Sequence, residues 1–540
     1  MIEFKHPLPA MNIDGRHNGT YNNWELVLPG VLTTTDIRLG RFLHLLHNVV
    51  EDDRRLVFID GKVLTCCINW IRDHVHDMKA FKHWEYDLKS FISFIIDNQS
   101  PEGFFFELIK QLDDGHWRFV NEDCRRLYPE DSQSLVRLEL EADIEYLVVE
   151  GAVQVWRATG DTAWLLSKLP ALERAIEYIT SSPKRWSAEY GLAIRPLTID
   201  TWDFTSDPAS GHDRRIHDDE PMAAMHGDNS GLYQAMGQLA MIHSLAGNQE
   251  KAAAWRSRAE TLRANMIQHL WNGRFFVHMF PVRGECLDDR EQERLSLSNP
   301  YDINRGVTTP EESRAIIHEY QARRKTTKAF AEWFSIDPPY EKFGAYTPGN
   351  YVNGAISPFT AGELAKAALN NGEEAYGWDI LSRFIEMGER DENIYFLYSP
   401  DNSEPQGRGP SAWAAAALLS AVDEGLAGIV DADCLYRKID FSPRFAVTPY
   451  EELRYFTGYE VSRVFVELRY ILTEAGMRYD LKSPAEEIRA HILLPAGKTA
   501  AKVIVNDAAV PFVPVKVGGS DYVDFVTVGR ANVKMEIVFA

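Results

Sequence analysis

The stretch ELEADIEYLVVEGAVQVWRATGDTAWLLSKLPALERAIEYITS, residues 139–181, decides the fold. Its first half carries apolar residues at three- and four-residue spacing on almost every side. The second half keeps that spacing but breaks it with charge. Between them RATGDTAW leaves only a Gly–Asp turn, which predicts two helices folded back on each other. A helix apolar all round needs neighbours on every side, whereas one with a single apolar stripe needs them on one. A chain that repeats this pair builds an inner ring of buried helices inside an outer ring with one wet face.

The pair recurs in both directions. Helical spacing covers 38–50, 73–99, 230–248 and 249–271, then 358–372, 373–390 and 410–429, with the short turns SLAGNQEK and ALNNGEEA between partners. Longer connections at about 100–138, 182–228, 272–309 and 334–357 carry Trp, Asp, His, Gly and Pro. Connections that long in a compact body are where function sits. From about residue 437 the period changes to two: 460–472, 488–495, 501–507 and 533–540 read as strands. The expected plan is an N-terminal extended segment (1–35), a mainly α ring of helical hairpins (36–436) and a small C-terminal antiparallel β-sandwich (437–540).

The chain of 540 residues has 57 basic and 79 acidic side chains, a net charge of −22. Such a surface repels nucleic acid and anionic lipid, so neither is an expected partner. No apolar run is long enough to cross a bilayer, and the N-terminus has no signal-type core. Five cysteines, an odd number without metal-site spacing, point to reduced thiols and a cytoplasmic setting. No nucleotide fingerprint or metal-ligand pattern occurs, so no cofactor and no metal are expected. A homo-oligomer is left open.

Four stretches could carry chemistry. IDTWDFTSD (199–207) sets Asp200 and Asp203 around Trp202. Convergence of the two carboxyls beside indole and Phe204 would raise the pKa of one, as protonation of a glycosidic oxygen requires. In NWIRD (69–73), Arg72 and Asp73 can fork onto vicinal hydroxyls while Trp70 offers its face to a sugar ring. In MHGDNSGLYQA (225–235), Asn229 or Ser230 is a helix N-cap and His226 and Asp228 are candidates for the same rim. Finally, PGNYVNGAISPF (348–359) and NIYFLYSPDNSEPQGRGPSAW (393–413) contribute Tyr351, Asn353, Tyr398 and Trp413 as stacking faces and amide donors.

With these residues in view the chain resembles the six-hairpin glycosidase superfamily, the (α/α)6 barrels of trehalases, glucoamylases and processing α-glucosidases, over roughly 36–430. NWIRD is similar to their W-x-R-D sugar grip, and YVNGAISPF (351–359) to a Y-x-N-G-x-x-W-P-F stretch, with Ser357 in place of tryptophan. TWDFTSD (201–207) followed by GDNSGLYQA (227–235) is similar to the trehalase G-W-D-F-S pattern, which implies Asp203 as general acid. FLYSPDNSEP (396–405) matches the segment that carries the water-activating glutamate but has Phe396 in that place; Glu341 and Glu404 are the substitutes to test. The resemblance implies an exo-acting, inverting glycoside hydrolase on an α-linked glucoside or similar small glycan. A phosphorylase, epimerase or lyase on the same barrel, or a glycan-binding protein without turnover, is the alternative.

Overall fold

A computed structural model describes residues 32–206 and 213–540. Most of the expected N-terminal segment, and Asp207 of the acidic stretch, lie outside the described residues. Among those described, twelve α-helices follow in sequence. They are α1 (Ile37–Asp52), α2 (Ile71–Phe81), α3 (Ser90–Asp97), α4 (Ile144–Thr159), α5 (Thr162–Ser181) and α6 (His226–Leu245). The second six are α7 (Gln249–Leu270), α8 (Asn299–Asn304), α9 (Pro310–Thr326), α10 (Pro358–Asn370), α11 (Glu374–Asp391) and α12 (Ala412–Ser420).

The even-numbered helices form a closed inner ring: α2 packs on α4, α4 on α6, α6 on α8, α8 on α10, α10 on α12, and α12 returns to α2. The odd-numbered helices lie outside. Within the opening hairpin, α4 is buried on nearly every side, while α5 buries the stripe Leu165, Leu169, Leu172, Ala175, Ile176 and Ile179. Gly160 ends α4 in the left-handed region at φ 67°, and the Asp161 side chain then accepts the Trp164 N–H to start α5. The two inner helices α4 and α6 approach through Gly231, where a Cβ would fall 2.2 Å from the Tyr146 ring.

Three departures from the sequence expectation concern helices; one is α8, which falls inside the connection expected at 272–309. The run 73–99 is two helices, parted at residues 82–89, where Glu85 turns its carboxylate onto the backbone N–H of Tyr86 and Asp87. Helix α9 falls in a segment with no expected element. It buries only Ser313, Ile316, Ile317 and Tyr320, and it is started by a capping box between Thr309 and Glu312.

The C-terminal part is two facing sheets. One runs in the order 33–34, 452–459, 464–472, 476–482, 532–539, 500–505, 508–510, and the other 429–431, 438–441, 487–493, 520–528, 513–517. Phe441 and Tyr479 meet between them, ring centroids 5.5 Å apart. The sandwich is not wholly antiparallel, because 438–441 pairs parallel to 487–493. Nor is it purely C-terminal, since Thr33 and Thr34 supply an edge.

Candidate active site

All six inner helices point their N-termini to one end of the ring, and there the long connections close over a pocket of about 710 Å³ including its mouth. Trp70, the residue before α2, and Asp73 in its first turn line one side; Ala412 and Trp413 open α12 on the other. The connections add Thr201, Trp202, Asp203, Tyr351, Phe396 and Arg408. Trp70, Arg72, Asp73, Trp202, Asp203, Tyr351 and Trp413, each expected at a sugar site, therefore share one pocket.

Its walls are aromatic. The Trp202 ring meets Tyr351 edge-on at 6.0 Å and Phe396 at 6.2 Å. Trp413 stacks on Phe359 at 4.8 Å and on His76 at 4.2 Å, and donates its indole N–H to the Tyr301 hydroxyl at 2.8 Å. Such faces suit the apolar side of a pyranose, and a fixed ring loses little entropy on binding.

Three carboxylates face this space. Asp203 is 19% exposed, with Arg214 Nη2 3.4 Å from its Oδ2. Asp73 is pushed above the usual carboxylate range, first by burial; Arg408 and Arg72 pull it back and Asp203 adds to the rise. Asp53, at the end of α1, is also raised, mainly by burial, against the pull of Arg55 and the Ala412 N–H. The Arg408 guanidinium, which lines the pocket, lies 5.4 Å from the Trp70 ring, and Lys110, which pairs with Asp114 at 3.4 Å, has its Nζ 5.5 Å from that ring. Burial and then Arg408 lower the Lys110 pKa.

Arg72 is not the sugar fork expected. Its Nε and Nη2 grip Asp143 at 2.5 and 2.8 Å, and its Nη1 donates to Glu141 at 2.9 Å. A guanidinium with both edges taken by carboxylates is a strut under the pocket, reaching it with one flank.

Other expected site residues lie behind the pocket or away from it. Asp200 takes a left-handed φ of 47°, which turns it from Asp203 into the interior, where it accepts Ser298 Oγ at 2.5 Å. The two carboxylates thus diverge across Trp202 instead of converging. Helix α6 starts at His226, ahead of the expected cap, so Asn229 and Ser230 sit in its first turn and Asn229 binds Ala193. His226 is fully buried between Asp302 (2.5 Å) and Ser296 (2.7 Å); burial opposes its charge, but Asp302 holds its pKa above the ordinary value. Asp228 is buried 3.3 Å from Arg195, and burial raises it to about 6. Asn353 braces the Tyr340 and Tyr346 backbone, and buried Tyr398 donates to Asp391. Glu341 and Glu404 are exposed and do not line the pocket. Phe396 does, so the residue standing at the glutamate position is in the right place with the wrong chemistry for activating water.

Asp53 and Arg408 were missed. EDDRR (51–55) reads as a solvated charge run, and only the hairpin that follows folds its third residue inward. Among the described residues no cluster of three His, Cys, Asp or Glu could hold a metal ion.

Residues 147–414 match the model of a family described as the mannosylglycerate hydrolase MGH1-like glycoside hydrolase domain. Over those residues, just under half of its 540, the chain is similar to a glycoside hydrolase domain. The match includes Asp203, Tyr351, Phe396 and Trp413; Asp53 and the 69–73 stretch lie before it. No curated protein sequence matches the chain. Among solved structures, the GH78 family rhamnosidase of Bacillus sp. GL1 is similar over 87% of this chain and 43% of its own, with TM-score 0.59 and 14% identity. An α-L-rhamnosidase from Dictyoglumus thermophilum is similar over 94% and 50%, with TM-score 0.59 and 11% identity. That of Streptomyces avermitilis, complexed with L-rhamnose, is similar over 94% and 42%, with TM-score 0.55 and 12% identity. The chain spans half or less of the length of these structures, and at such identities the likeness is one of fold.

Proposed function

We propose that this glycosidase, of the (α/α)6-barrel type, is exo-acting and inverting and removes a terminal sugar from a small α-linked glycoside. The observation that carries the reading is the pairing of Asp203 and Asp73 in one aromatic-walled pocket. Asp203 protonates the leaving oxygen at the mouth. Asp73 activates water: its raised pKa brings it nearer the operating pH, where a general base works best. It takes the role that neither Glu341 nor Glu404 is positioned to fill. An inverting pair needs about 6.5–9.5 Å between carboxyls to admit that water. Five free cysteines, four of them buried, support a reducing, cytoplasmic setting.

One observation favours a refinement of the substrate. Arg408 lines the pocket beside Trp70 in a strongly acidic chain. It suits a leaving group that bears a carboxylate, as the glycerate in the matched family's name does.

The test is an aryl-glycoside panel with graded leaving groups, read by NMR for the anomer first released. Asp203→Asn should lose about 10²–10⁴ in kcat on poor leaving groups and far less on dinitrophenolate, which needs no proton. Asp73→Ala should recover turnover with azide. Full activity of Asp203→Asn on alkyl glycosides overturns the assignment.

A further inference from the structure

Further along the ring, residues from the middle to the C-terminal end of the six inner helices enclose a second cavity, about 1030 Å³ including its mouth. Its lining is almost wholly polar. Part of that polarity is internally matched: Lys79 pairs with Glu363, and Lys82 and Lys366 share Glu424. Helix C-termini carry partial negative charge, so lysines there have a structural reason.

That reason does not reach the remainder. Arg305 donates to neutral acceptors, the Gly227 carbonyl at 2.8 Å and Ser230 Oγ at 3.0 Å, and the buried Nε of Arg157 has no hydrogen-bond partner. Gln154 is 5% exposed and gives its amide N–H to the Val75 carbonyl at 3.2 Å, which leaves its Oε1 without a donor. Gln238 Oε1 is likewise unpartnered. Two guanidiniums therefore face acceptors that lack donors, in a cavity large enough for a hexose. Unsatisfied groups of this kind each cost stability unless something completes them. Guanidiniums select an oxyanion, and amide oxygens select hydroxyls.

We propose that this cavity is a second binding site, for a small polyhydroxylated anion: a sugar phosphate or a sugar acid. The oxyanion lies against Arg157 and Arg305, and the hydroxyls donate to Gln154, Gln238 and the carboxylate of Glu150, which lines the cavity and accepts the Gln154 amide at 3.4 Å through one oxygen. The wall between the two cavities is one residue thick, since His76 and Tyr301 line this one and hold Trp413, which lines the other. A bound ligand is thus placed to tune the aromatic face of the active site. That consequence rests on the hydrolase reading; the binding itself does not.

Isothermal titration of the full chain at fixed ionic strength, with glucose 6-phosphate, gluconate, glucose and inorganic phosphate, tests it. One of the two anionic sugars should bind one to one, the tighter identifying the oxyanion, and glucose and inorganic phosphate at least tenfold more weakly. Arg157→Gln and Gln238→Glu should each weaken that binding at least tenfold, and Asp203→Asn should leave it unchanged. Gln238 is half-exposed, so its variant carries the test if Arg157→Gln does not fold. The proposal is overturned if neither anion binds, if inorganic phosphate binds as tightly as the sugar phosphate, if binding survives both variants, or if Asp203→Asn abolishes it.

Discussion

Replacing Arg72 with methionine separates a strut from a sugar-binding fork. The substitution keeps most of the stem and removes the guanidinium that grips Asp143 and Glu141. Burial pushes Glu141 well above the ordinary range against the pull of Arg72, whereas Asp143 is held below it, so Asp143 is the charge that the substitution strands. In the native protein burial opposes that charge, but Arg72 outweighs it and Asp143 stays below the usual range. Stranding one buried charge costs about 3–5 kcal/mol. Arg195 and Arg137 still act on Asp143 at longer range, which favours the lower end. At about 1 °C per kcal/mol for a chain of 540 residues, Tm falls by roughly 3–5 °C at pH 8.

The pH dependence has a definite sign. A depressed Asp143 contributes stability that is complete above the unfolded carboxylate pKa, about 3.9, and so is constant between pH 8 and 5 in the native protein. In the variant the same carboxyl is raised above its unfolded value, a penalty that fades as pH falls toward that value. The Tm gap between the two proteins should therefore narrow from pH 8 to pH 5 by calorimetry. A gap that stays below 2 °C throughout, with KM for an aryl glycoside raised tenfold or more, would refute the strut and restore the fork.

Asp228→Asn should flatten the pH dependence of stability between about pH 6 and 4. The folded value of about 6 exceeds the unfolded one, so in the native protein this group's penalty is relieved as pH falls through that window; thermal scans at half-unit steps measure the slope. Gly231→Ala should destabilise by about 1–3 kcal/mol despite the better helix propensity of alanine, because its Cβ would overlap the buried Tyr146 ring; a Tm within about 0.5 °C of native would count against the close approach of α4 and α6.

The local physics of a helical hairpin is written in the chain itself. Apolar spacing marks α4 and α5, Gly160 and Asp161 mark the turn between them, and Asp203, Trp202, Trp70 and Trp413 carry types that suit a sugar pocket. Period and propensity act over a few residues, so a sequence displays them directly. Helix α9 escaped that reading because it buries too few apolar residues for a period to show, although its capping box was legible. Direction was not legible. Asp200 and Asp203 stand three apart, yet the left-handed backbone at Asp200 sends them to opposite sides of Trp202. Arg72 and Asp73 are neighbours, yet one is consumed by Asp143 and Glu141, seventy residues on, while the other faces the pocket. Asp53 reaches the site from a charge run that resembles any solvated loop. A side chain's partner depends on contacts between segments far apart in the chain, and those exist only once the ring of helices has closed.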